Sequence, residues 1–74
     1  MVDPVEFELR GDFITLAALL KASGLASSGG EAKILATGGD VLVNGQSESR
    51  RGRKLRVGDE VAMGGQRIRL RAAA

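Results

Sequence analysis

The chain has 74 residues, a net charge of +2 and an apolar content of 43%, and it contains no histidine, cysteine, tyrosine or tryptophan. That length supports a single small domain over residues 1–74. The composition excludes thiol nucleophiles, imidazole bases, cysteine or histidine zinc sites and disulfides together, and no apolar run is long enough to cross a bilayer as a helix.

The first element is read in Val5-Glu6-Phe7-Glu8-Leu9, where apolar and acidic residues alternate as in a half-buried strand. Gly11-Asp12 breaks it. Phe7 and Phe13 are the only aromatic residues, and both sit in apolar patterns expected to be core. From Thr15 the period becomes helical, with Leu16, Leu19, Leu20 and Ser23 on one face. Thr15 is the expected cap and Gly24 the stop, giving a helix over 15–23. Leu25 is expected to tuck between this helix and the next. Ser28-Gly29-Gly30-Glu31 fits a capping box and opens a second helix over 28–37, with Ala32, Leu35 and Ala36 as its buried stripe. Gly38-Gly39 ends it.

The remainder reads as β structure. Val41-Leu42-Val43 runs into Asn44-Gly45, a strong hairpin signal. Residues 46–53 are polar and basic, as in an exposed strand or a solvated loop. A turn at Val57-Gly58-Asp59 leads to a strand near 61–63, and Gly64-Gly65 turns it into another over 66–70. In that last strand Ile68 and Leu70 face one way and Arg67, Arg69 and Arg71 the other. The expected fold class is α+β, with two short helices packed on a small, mainly antiparallel sheet.

The small net charge hides a division. Residues 1–48 carry three cations against seven anions, net −4, whereas residues 49–74 carry eight cations against two anions, net +6. Eight of the eleven cations are arginine, which suits bidentate contact with phosphate. Such a division points to a face that meets a polyanion. Arg50, Arg51, Arg53 and Lys54 fall within five residues. At the start of the second helix, Ser28, Gly29 and Gly30 offer free amides at a positive dipole end, with Lys33 on the same face. The pattern is neither GxxxxGK[ST] nor GxGxxG, so neither nucleotide loop is present. With both phenylalanines read as core, base stacking on exposed rings has no place, and any RNA would be held through phosphates and backbone shape.

These residues carry a resemblance. Leu16, Leu20, Gly24-Leu25, Ser28, Ala32, Leu35, Gly39, Val41, Val43, Asn44-Gly45, Val57, Gly58-Asp59 and Val61 follow the order and spacing of the ribosomal S-four-type RNA-binding domain, the family with the αL motif. The match covers about residues 16–61. SGGEAK together with the arginine run also resembles the YbcJ/YaaA-like group of small stand-alone bacterial proteins. The family's usual basic residue at the start of helix one and arginine after the helix-two serine are replaced by Thr15 and Gly29.

The resemblance implies a non-catalytic protein that binds structured RNA, ribosomal or transfer RNA-like, with the ribosome or a ribosomal precursor as its setting. Lys33, Arg50, Arg51, Arg53 and Lys54 are the expected phosphate contacts. Ser28, Gly29 and Gly30 would supply the helix terminus, and Asn44 and Gly45 would shape the adjoining turn. No cofactor, metal or membrane partner is expected, and the cytoplasm is the expected location. An adaptor that sets the basic face against an acidic protein is the alternative.

Overall fold

The computed structural model of the protein describes residues 4–73. The chain forms β1 (Val5–Leu9), β2 (Ile14–Thr15), α1 (Leu16–Ala22), α2 (Gly29–Thr37), β3 (Val41–Val43), β4 (Gln46–Glu48), β5 (Lys54–Leu55), β6 (Glu60–Met63) and β7 (Gln66–Ala72). Five strands make a sheet in the order β1-β7-β6-β3-β4, and β2 pairs with β5 in a small separate ribbon. Among the described residues only the β1–β7 pair is parallel. The first strand therefore docks beside the last, with Val5 opposite Ile68 and Leu9 opposite Ala72. Ala72 is thereby paired, and Ala74 lies outside the described residues.

The helices follow their caps. The Thr15 hydroxyl accepts from the Ala18 amide at 3.3 Å, and Ser28 Oγ accepts from the Glu31 amide at 3.1 Å. Satisfying such orphan amides is what fixes a helix start. Gly24 and Gly39 end the two helices with positive φ, where a side chain would be strained. The two β-hairpin turns use the same freedom: Asn44-Gly45 and Gly64-Gly65 all have φ between 52° and 84°.

The helices cover one face of the sheet. Leu16, Leu19, Leu20, Ala32 and Ala36 from the helices meet Val41, Val43, Leu55, Val61, Ile68 and Leu70 from the strands in one core. Three sequence expectations need correction here. Leu25 is only half-buried against that core, and the sealed residue of the helix connection is Ala26. The Ala26 amide donates to the Leu20 carbonyl at 2.9 Å. Leu35 likewise packs from the margin, because the alanines Ala32 and Ala36 take the close approach to α1. Phe13 is not core: it is 42% exposed. It sits in the bend before β2, ahead of the helical period that begins at Leu16.

Candidate functional site

The most organised charged group in the molecule is built around Glu48. Strand β4 pairs with β3 so that Glu48 stands opposite the buried Val41, which carries its side chain to the core side of the sheet margin. Glu48 is 6% exposed, the one buried charged residue among those described. Its carboxylate accepts from the Ser49 and Arg50 amides, each at 3.1 Å. It also accepts from Arg50 Nε at 3.1 Å, Arg50 Nη2 at 3.2 Å and Arg53 Nη1 at 2.7 Å. A buried carboxylate is costly unless paired and hydrogen-bonded, and here both oxygens are engaged. The Arg50 side chain, then that of Arg53, then the Arg50 amide hold the Glu48 carboxyl at about 2 in place of 4.5. The same contacts raise the Arg50 guanidinium. The segment read as a solvated loop is thus tied to a buried anion.

The loop is also bonded to the first helix. The Arg53 carbonyl accepts from the Leu16 amide at 2.9 Å, and the Arg51 carbonyl accepts from the Ala17 amide at 3.1 Å. With Thr15 accepting from Ala18, the first amides of α1 are all occupied. That helix start is closed to an external anion. What the loop offers outward is side chains: Arg51 is exposed and makes no ion pair with a described residue, and the Arg50 side chain remains 73% exposed despite its bonds. Lys54 Nζ stands 4.9 Å from the centre of the Phe13 ring, and Arg56 Cζ stands 6.0 Å from it.

The start of α2 differs. Ser28 caps Glu31, its carbonyl accepts from Ala32, and the Glu31 carboxylate accepts from the Ser27 amide and hydroxyl, each at 3.1 Å. The capping box therefore closes on Ser27, one residue before the cap. The Gly29 and Gly30 amides have no protein partner among the described residues, and both residues are exposed, as is Lys33. A helix start with open amides favours an anion. This group follows the C-terminal end of α1, whereas the arginine loop caps its N-terminal end. The seven residues of α1 span about 10 Å of helix.

Asn44 and Gly45 do not extend the charged group. Asn44 Nδ2 donates to Asp59 Oδ1 at 3.0 Å, Asn44 Oδ1 accepts from the Glu60 amide at 2.9 Å, and the Asn44 amide donates to the Glu60 carbonyl at 2.8 Å. Asp59 in turn accepts from the Arg56 amide at 2.8 Å. The asparagine thus clamps the β3–β4 turn to the entry of β6.

The arginines of β7 are spoken for. Arg67 Nε donates to Glu60 at 2.7 Å, and Arg69 meets the same carboxylate at 3.3 Å. Arg71 meets Glu6 at 3.3 Å and Glu8 at 3.7 Å. Arg67, opposed by burial, then Arg69, holds the Glu60 carboxyl below its usual range. The parallel β1–β7 pairing places the acidic first strand alongside the basic last one, so the fold neutralises much of the division seen along the sequence.

Sequence reading missed three participants. Glu48 looked like an ordinary polar residue, and only the alternation Val41, Val43 with its hairpin register reveals its inward direction. Phe13 was assigned to the core by its apolar neighbours. Arg56 stands two residues beyond Lys54, separated by the buried Leu55. Among the described residues, no three acidic side chains converge as metal ligands would, and no helix is long and apolar enough to cross a membrane.

Comparison with known proteins adds two findings. Residues 7–71 match the S4 domain family. The probable ribosome maturation protein RlbA of Bacillus subtilis (strain 168) is 42% identical over 65 residues, which is 88% of this chain and 89% of that protein.

Proposed function

The chain belongs to the S4 domain family, and from that premise we propose that it is a non-catalytic RNA-binding protein of the cytoplasm that grips structured RNA by its phosphates. The observation that carries this reading is the arginine loop. Glu48 and the amides of α1 hold its backbone, while Arg50, Arg51 and Lys54 project from it. A positioned array of guanidinium and ammonium groups is what phosphate recognition needs. Lys33 and the open Gly29 and Gly30 amides form a second contact beyond the other end of α1. The likeness to a protein named for ribosome maturation favours ribosomal RNA or its precursor over transfer RNA.

If Lys33 and the loop together neutralise about four phosphates, log affinity should fall against log salt with a slope near −3, at about −0.7 to −0.9 per phosphate. The test is titration of structured ribosomal RNA fragments into wild type, Arg51→Glu and Arg69→Glu across a salt series. Arg51→Glu should weaken binding and flatten the slope without moving the thermal midpoint, since its side chain bonds nothing in the fold. Arg69→Glu should do much less to binding. Equal losses from both would mean a diffuse electrostatic surface and would overturn the localised site. Failure of wild type to bind any folded RNA at moderate salt, with retention of an acidic protein, would favour the adaptor.

A further inference from the structure

Phe13 is the feature that the phosphate reading leaves unused. Phe13 is 42% exposed. It is not isolated. With Phe7, Leu9 and Ile14 it lines an apolar recess of about 320 Å³, and Glu8 and Arg10 stand at the rim. Lys54 and Arg56 lie against the ring at 4.9 and 6.0 Å. Strand β2, which follows Phe13 directly, pairs with β5, which begins at Lys54. The recess is therefore continuous with the arginine loop: Thr15 is registered opposite Lys54, and Leu16 bonds to Arg53.

We propose that this recess receives one unpaired nucleobase of the bound RNA, stacked on Phe13 in place of Lys54 and Arg56, which move from the ring onto the phosphates on either side of the base. The inference rests on the RNA-binding reading above. Three observations select this occupant. The floor is aromatic and aliphatic, as a base face requires. The charged groups next to the ring are cations, which suits a ligand whose apolar part is flanked by anions and disfavours a purely apolar peptide. The volume is at the small end of ligand sites, about 300 Å³ upward, the scale of a base and not of a docked helix. The rim adds selectivity, since the Glu8 carboxylate accepts and Arg10 donates, as a base edge demands. Glu8 meets Arg10 at 3.5 Å and Arg71 at 3.7 Å, so its carboxylate is shared between two exposed arginines.

Two RNA hairpins of the same stem, each closed by a non-nucleotide linker, test this, one fully paired and one with a single bulged uridine. Stacking of one base corresponds to about 5- to 150-fold in affinity. Wild type should bind the bulged hairpin tighter by a factor in that range. Phe13→Leu, which keeps an apolar side chain but removes the ring, should bring the ratio close to one. Phe13→Trp should keep or enlarge it. With 5-iodouridine at the bulge, irradiation should crosslink the RNA at Phe13. If wild type binds both hairpins equally, or the crosslink falls elsewhere, the base site is wrong while RNA binding stands; an apolar protein side chain as the true occupant would give that result. If neither hairpin binds, the RNA reading fails and this inference with it.

Discussion

At the residue scale, Glu48 and Asn44 organise the molecule, Glu48 from a position that looks ordinary in the sequence. A carboxyl with a folded pKa below its unfolded value contributes stability that is complete above the unfolded value and is lost as pH falls through the folded one. For Glu48 that window runs from 4.5 down to about 2. Glu48→Gln should therefore be less stable than wild type at neutral pH, with the difference shrinking as the pH is lowered through that window. Denaturant unfolding followed by circular dichroism at several pH values measures it, and a gap that is absent at pH 7 would refute the assigned role. Asn44 has two separable roles, a left-handed backbone with φ of 52° and a side chain that clamps Asp59 and Glu60. Asn44→Gly keeps the backbone freedom and loses the clamp, for a cost of about 1–2 kcal/mol. Asn44→Ala should cost about 1–2 kcal/mol more, because alanine pays for the left-handed conformation. Equal midpoints for the two variants in urea would show that backbone geometry is not what the asparagine supplies.

At the scale of elements, the helices and hairpins were legible because their signals are local. Thr15 and Ser28 with their caps, Gly24 and Gly39 as stops, and Asn44-Gly45 and Gly64-Gly65 as turns each act within a few residues. The observed α1 and α2 lie within one residue of the expected bounds. What could not be read was long-range. The two-residue pairs of β2 and β5 have no periodicity of their own and exist because α1 needs its first amides covered by residues 51–53. The parallel docking of β1 on β7 depends on the whole sheet being assembled, as does the inward turn of Glu48. Among the candidate site residues, the arginine run and the glycine pair were visible as composition, whereas the partition between bonded Arg53 and exposed Arg51 was not. The core itself follows the periodicity. Leu20 is fully buried in the face of α1 that meets the sheet. Leu20→Ala should cost about 2–5 kcal/mol, a large share of the stability of so small a domain. A loss below about half a kcal/mol in a denaturant melt would contradict that face assignment.

At the scale of the whole molecule, the fold sorts its charge. Pairing β7 with β1 and β6 consumes Arg67, Arg69 and Arg71 on Glu6, Glu8 and Glu60 on the sheet face away from the helices. Of the cations without such partners among the described residues, Arg51, Lys54 and Arg56 gather at the N-terminal end of α1, with Arg50 held there by Glu48, while Lys21 and Lys33 lie on the helices. A chain with a net charge of only +2 can thereby present a local field able to hold a polyanion. Chemical-shift mapping on isotope-labelled protein, with a structured ribosomal RNA fragment as titrant, examines this localisation directly. The amides of residues 13–17 and 49–56 should shift most, with a second group at 28–33, while those of β7 remain near their free positions. Shifts concentrated on β7, or on the exposed Ile34 and Leu42 surface, would contradict the assignment of the RNA to the arginine loop.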